Sequence, residues 1–574
     1  MTVTASAPSA PTPAPLERPP HQPRRAVGLA LFAGLSALYF AVGAVLVLRY
    51  NLFDPDSPSR VANAGYVVMS RHAHLSAIGF VWNPLPSLVQ IPLMGLSHWW
   101  PALKTHGLAG VIQSSMFMAA AAVMIRRIAL DRGLGTGWVW LAVGCFALQP
   151  AIIVYGASGM SEAAQMFCVL WAVRYLLLWV DSRWPGHLGW AGIALGVGYL
   201  ARYELVPAAC GVMLLVAVLA WLRPPPGERL ANSLLSVSIV AFPIVLSAAI
   251  WAITGWIVSD QLFATVSSQY GNESQVSAAA SHGGPQGLAA SSDWVVIAAR
   301  LLGMQPFVVI AVAGAVALTV LTRRVEHLVA VAAIGPMVLF TMWGQYSSLT
   351  FGWFRFYLMA VPLVLCIAIT CWRPGAEQPS RWRTGTPVAK LGAVLISLSI
   401  AVGFPVTLLA SADSRIGNQQ LQFGLMSLMR DGDESSQQQW YRRLLVTDRT
   451  LADYFDRRNL PDGSVLMDSF ATWGVWLESD RPRQFVITSD YDFRAALNRP
   501  WDYGVRYIVT VNPAVTDADA VNRRYPTIWA DGAGIGRLAL TVYGATGDER
   551  FRVYEVTEPP SPAVAEPPAG PPAG

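Results

Sequence analysis

The sequence predicts a polytopic α-helical membrane protein of about eleven spans, with a small extracytoplasmic α/β domain at the C-terminal end. Three observations predict it. Of the 574 residues, 54% are hydrophobic and only 13% are charged, and mean hydropathy is +0.42. Apolar stretches of about 20 residues, the length that crosses a bilayer as a helix, recur up to position 411. Beyond that point hydrophobicity drops, charges rise and short alternating apolar runs appear, which is the pattern of a soluble layer of strands and helices.

The apolar stretches fall near 27–49, 106–125, 137–156, 163–180, 188–203, 205–222, 233–256, 304–322, 328–343, 355–371 and 390–411. The fifth and sixth run together, with only Arg202 and Glu204 as charges between them. Short basic loops stay in the cytoplasm, so the positions of Arg24, Arg25, Arg126, Arg127, Arg132, Arg183, Arg223, Arg229, Arg323, Arg324, Arg373, Arg381 and Arg383 place the N-terminus there. The alternate loops, around 50–104, 157–161, 257–300 and 344–354, then face outward, as does everything from about 412.

The formal net charge of +5 reports this topology; no basic patch interleaved with aromatics is present, so no nucleic-acid partner is expected. Residues 1–25 are rich in Pro, Ala and Ser, lack a cleavable signal pattern and read as a disordered cytoplasmic tail, and 557–574 read as a second disordered tail. Cys145, Cys168, Cys210, Cys366 and Cys371 all lie in or at the ends of spans, which argues against disulfides and cysteine metal sites. These limits leave a membrane module over 26–411 and an extracytoplasmic domain over 412–556. In the latter, Leu451–Phe455 reads as part of an amphipathic helix, and 464–468, 483–487, 505–511 and 551–556 read as strands. It contains no nucleophile motif, metal spacing or phosphate loop, so it reads as a structural or recognition cap.

Candidate chemistry collects at the expected outer helix ends. Asp54-Pro55-Asp56 follows the first span; ionised groups are costly beside hydrocarbon, and two of them mark a site. The pair can take a proton from a hydroxyl, offer oxygen ligands to a divalent cation, or form a turn around Pro55. Glu162 opens the helix after Tyr155–Ser161, where it or Ser161 would otherwise serve as a cap. Arg202-Tyr203-Glu204 interrupts two apolar helices, as an internal salt bridge or a substrate contact. The longest outer loop carries Gln269 and Tyr270 and then a small-residue run around His282, a composition that fits a lid. Arg355, within Trp353-Phe354-Arg355-Phe356-Tyr357, either snorkels to headgroups or holds a phosphate with its planar donors.

Taken together, Asp56 before Ser59–Ala64, the Phe80–Pro86 segment, Glu162, Arg202-Tyr203-Glu204 and the run through Arg355 and Tyr357 resemble the GT-C superfamily of polyprenyl-phosphate-dependent glycosyltransferases, which contains the protein O-mannosyltransferases and the aminoarabinose transferases. The resemblance covers about 50–411. It implies a hexosyl- or pentosyltransferase of the cell membrane that moves a sugar, with inversion, from a polyprenyl-phosphate donor to a cell-envelope glycan, lipid or protein acceptor on the extracytoplasmic face, in contact with membrane lipids. Asp56 matches the family's acidic residue and would be the base, with Asp54 as second choice or assistant, because Ser57-Pro58 departs from the usual residues after the acid. Glu162, Arg202, Glu204, Gln269, Tyr270 and Tyr357 would line the substrate cavity, and Arg355, with Arg202 or Lys104, would stabilise the departing phosphate. A divalent cation on Asp54 and Asp56 stays open. Two other classes remain: a transporter or flippase of a lipid-linked glycan, whose polar sites would lie at broken helices near the bilayer midplane, and a scaffold whose outer domain binds wall polymers.

Overall fold

The computed structural model describes residues 25–222, 224–268, 270–271, 274–276, 292–371, 387–413, 415–417, 436–516, 518–544 and 547–557. The expected tails lie almost wholly outside the described residues, and Gln269, His282 and most of the expected lid lie outside them too.

Six helices are long and apolar enough to cross a membrane: Arg25–Arg49, Leu108–Asp131, Glu162–Ser182, Pro226–Ser259, His327–Tyr346 and Phe354–Cys371. Two bent pairs, Thr136–Ala147 with Pro150–Ala157 at 63° and Trp294–Met304 with Val308–Thr322 at 73°, raise the number to eight among the described residues. The chain is a multi-pass membrane protein. The expected count of eleven differs because it scores apolar windows rather than helix length. The stretches at 188–203 and 205–222 form helices Pro185–Tyr199 and Leu205–Trp221, of 15 and 17 residues, shorter than the ~20 that span a bilayer. The stretch at 390–411 lies in the helix Pro387–Ala412, some of whose side chains are outside the described set.

Both bends fall at proline. Pro150 and Pro306 have no N–H to donate and push the preceding residue out of helical geometry; Gln149 and Gln305 are extended there. Gln149 caps the second half of its pair through Ile152 N–H at 3.0 Å and donates 3.1 Å to the Thr407 hydroxyl, which donates 3.0 Å to the Met304 carbonyl. One threonine thus ties the two breaks together.

In the C-terminal part, strands β1 (Val465–Leu466), β2 (Phe485–Val486), β3 (Tyr507–Val511), β4 (Gly536–Tyr543) and β5 (Glu549–Val556) form one sheet in the order β2-β1-β3-β5-β4. The β1 pairings with β2 and β3 are parallel, and those of β5 with β3 and β4 antiparallel. The expected helix around Leu451 is the end of Ser436–Asp456. The edge strand β4 was not anticipated, although Leu538, Leu540 and Val542 alternate as a strand should; much of it is exposed.

Alternation along β3 sends Ile508 to one face, with Phe493, Ala496, Val521 and Ile528, and Val509 and Val511 to the other. That second face joins Leu451, Phe455, Val475 and Trp476 in a core continuous with Val61, Ala62, Ala64 and Tyr66 of the helix Asp56–Met69 and with Leu103 and Leu108. The sheet layer therefore shares its core with the segment that carries Asp56. Gly65 makes the contact possible, since a Cβ there would come within 2.6 Å of the Trp476 ring, which meets Tyr66 edge-on at 4.7 Å.

Candidate active site

The helix Asp56–Met69 begins at the second acid of Asp54-Pro55-Asp56, where the helix dipole favours negative charge. The turn expected around Pro55 is present: the Asp54 carboxylate accepts the Asp56 N–H at 3.3 Å. The same carboxylate also takes Arg355, whose second terminal nitrogen bonds Asp56 at 2.6 Å and whose Nε lies 3.2 Å from Glu162. Three carboxylates from two distant segments thus converge on one guanidinium, in a short helical turn at Phe354–Tyr357.

Glu162 joins this group to a second arginine. Arg202 donates 3.0 Å to Glu162, 3.1 Å to the Ser161 hydroxyl and 2.5 Å to Glu204. The Arg202–Glu204 salt bridge exists, and it opens into the cluster rather than closing on itself. Ser161 makes no capping bond; its hydroxyl serves Arg202 instead. The Phe356 ring lies beside both guanidiniums, 5.0 Å from that of Arg202 and 5.3 Å from that of Arg355. Gly159, at φ +77°, brings the Ser161–Glu162 turn against Ser57; a Cβ there would lie 2.0 Å from the Ser57 hydroxyl.

Arg60 is a buried charge beside the cluster that sequence reasoning missed. It is 2% exposed, stacks 4.5 Å over Trp82, and its Nε and one terminal nitrogen make no hydrogen bond among the described residues. The available signal was its position four residues after Asp56, on the same helix face.

The cluster borders a cavity of about 300 Å³ lined by Asp56, Ser59, Asn63, Tyr66, Trp82 and Tyr270 on one side and by Asp468, Ser469, Phe470, Trp473, Thr488 and Ser489 on the other. Hydroxyls, an amide and aromatic faces suit a polyhydroxylated ligand. The side chain of Asp56 is 31% exposed, whereas Asp54 is 8% exposed. Burial pushes the Asp54 carboxyl up to about 7, with Arg355 opposing the shift and the neighbouring carboxylates Asp56 and Glu162 adding to it.

The remaining candidates are elsewhere or in other roles. Tyr270 is on the cavity wall and donates 2.9 Å to Asp468. Tyr357 is fully buried and donates 2.6 Å to Gln345, so it faces away from the cavity. Lys104 is not brought to the cluster: its ammonium is bound by the Ser479 carbonyl and lies 5.1 Å from the Trp476 ring, tying the C-terminal layer to the 102–105 turn. A divalent cation on Asp54 and Asp56 would have to displace Arg355, which already bridges the two carboxylates.

No protein-family model and no curated protein matches the sequence. The structure is similar to that of ArnT from Cupriavidus metallidurans bound to undecaprenyl phosphate, with 10% identity over 92% of this chain and 97% of that chain and a TM-score of 0.49. It is also similar to archaeal oligosaccharyltransferase AglB from Archaeoglobus fulgidus in complex with an inhibitory peptide and a dolichol-phosphate, with 12% identity over 94% of this chain and 75% of that one and a TM-score of 0.41.

Proposed function

We propose that this protein is a membrane glycosyltransferase that moves a sugar from a polyprenyl-phosphate donor to an acceptor hydroxyl or amide on the extracytoplasmic face, with Asp56 as general base. One observation carries the proposal. Of the seven charged groups in the cluster, Asp56 is the one among the cavity-lining residues, and its side chain is 31% exposed, whereas Asp468 on the opposite wall is buried and already takes three donors, so Asp56 is the carboxylate open to an acceptor. The acceptor atom attacks the anomeric carbon as its proton passes to Asp56, and the bond from that carbon to the phosphate oxygen breaks, the electron pair leaving with the lipid phosphate. Attack opposite the leaving group inverts the carbon.

Arg355 fixes the orientation of Asp56 and lowers the cost of its charge. The phosphate is met by Arg60, whose two unbonded N–H-bearing nitrogens have capacity to spare, and by Arg355 as it exchanges one carboxylate for a phosphate oxygen. Asp54 assists by holding Arg355. The cluster is reached from the ends of apolar helices, which favours a donor that is already membrane-borne.

The test is transfer of radiolabelled sugar from polyprenyl-phosphate donors to envelope extracts by protein in vesicles. Asp56→Asn should lower the rate by about 10²–10⁴-fold, the usual worth of a general base, while the protein still folds. Undiminished transfer would remove the assignment. A second reading, transport of a lipid-linked glycan, is favoured by the two proline breaks that meet at Thr407. Movement of donor across the same vesicles with no transferred product would select it.

A further inference from the structure

A second cluster, outside the arginine–carboxylate site, joins the segment after the helix Asp56–Met69 to the C-terminal layer. His72, Asp490 and Asp492 each offer one ligand atom, and the three atoms lie within 4.8 Å of one another. We infer that these three side chains bind one divalent transition-metal ion of the zinc class, which staples residues 70–74 to residues 487–492.

Geometry separates this from an ordinary ion pair. His72 Nδ1 is 3.6 Å from Asp492 Oδ1 and 3.9 Å from Asp490 Oδ1, beyond the ~3.2 Å limit of a good hydrogen bond. Two ligands on a tetrahedral zinc, each about 2.1 Å from the metal, are themselves about 3.4 Å apart. His72 Nδ1 is therefore spaced from both carboxylate oxygens as ligands are around a shared centre, and too widely for direct bonding to either.

Two of the atoms also lack any other use. The Asp490 side chain is fully buried; its Oδ2 accepts the Ile487 N–H at 3.0 Å, but among the described residues Oδ1 has no hydrogen-bond partner, and neither has His72 Nδ1. A buried carboxylate oxygen and an imidazole nitrogen left bare at the same spot are costly unless something bridges them.

Charge points the same way. Arg71 bonds Asp492 and lies 3.8 Å from Asp490 Oδ2, which leaves one negative charge uncompensated across the two carboxylates when His72 is neutral. The imidazole among the ligands selects a zinc-like ion over magnesium or calcium, which prefer all-oxygen sets. Tyr491, between the two aspartates, stacks on His74 at 4.2 Å and lies 6.0 Å from the His72 ring, holding the imidazoles in place. The His72 side chain is 37% exposed, which provides an entry path.

The ion would act on the cavity from outside. Thr488 and Ser489 precede Asp490, Ala77 and Gly79 follow the histidines, and all four line the cavity. Holding the two segments together fixes opposite walls. The test uses the full chain in detergent, stripped with a chelator and dialysed against Zn²⁺, with metal content measured by mass spectrometry and affinity by calorimetry. We expect one zinc per chain and a raised Tm. Asp490→Asn, which keeps the shape of a buried residue, and His72→Gln, at a part-exposed position, should each weaken zinc binding by about tenfold or more, because each removes a ligand. No uptake by the stripped protein, or equal uptake by both variants, would overturn the inference. So would stabilisation on acidification with no zinc bound, which would identify a protonated His72 pairing with the aspartates. Because none of these measurements involves transfer, the outcome is independent of the function proposed above.

Discussion

The two walls of the cavity bury carboxylates by opposite means. On the wall of the membrane helices, Asp54, Asp56, Glu162 and Glu204 are ion-paired to Arg202 and Arg355, with Arg60 alongside. On the wall of the sheet layer, Asp468 accepts the Phe470 and Ala520 N–H groups and the Tyr270 hydroxyl, and Asp519 caps the helix Ala520–Arg524. Backbone donors are fixed in place by the fold and cannot change partners. Guanidiniums on long side chains can, so the first wall is built for rearrangement around a charged ligand and the second for shape.

Removing the guanidinium from the first wall should have the largest effect. Arg355→Ala leaves Asp54, Asp56 and Glu162 buried without their shared partner and should cost about 3–5 kcal/mol of stability together with activity. Calorimetry or a thermal-shift assay in detergent checks it, and a Tm within a degree of the parent would mean that the carboxylates do not depend on Arg355.

A smaller effect separates the walls by pH. Burial raises the carboxyls of both Asp54 and Asp519 to about 7. A folded-state value above the unfolded one near 4 means the folded protein holds the proton more tightly, so the stability this contributes is complete below the ordinary carboxylate range and is lost as pH rises through about 7. Tm should therefore fall between pH 5 and pH 8, in the range set by these shifts. Asp54→Asn should remove the part due to the membrane wall and leave the part due to Asp519; an unchanged slope would assign the whole effect to the sheet layer.

The smallest effect tests the fixed wall. Tyr270→Phe deletes one of three donors to Asp468 and leaves both backbone bonds, so it should cost about 1 kcal/mol or less. A loss as large as that of Arg355→Ala would show that the two walls are not different in kind.

Much of this was legible in the sequence because it depends on local composition. Apolar windows mark helices wherever they pack, and alternation marks the buried strands β1, β3 and β5, whose inward residues are apolar. It served poorly where an element is half exposed, as at β4, or where an apolar window is cut short by charges, as at Arg202 and Glu204. The clustering of polar groups at one end of the helices was also readable, since charges are excluded from hydrocarbon and must collect at helix ends.

Partnership was not readable. The sequence by itself determined a helical, membrane-embedded chain with a strand-containing C-terminal part and supplied Asp54, Asp56, Glu162, Arg202 and Arg355 as candidates. Only the tertiary structure decided that Arg355 is shared by three carboxylates, that Lys104 serves the Ser479 carbonyl, that Arg60 belongs beside the cluster, and that the sheet layer forms one wall of the cavity. The physical reason is range. Helix and strand propensity act over a few residues, whereas a buried charge is satisfied by whichever opposite charge the fold brings within about 4 Å, here from positions some 300 residues away along the chain.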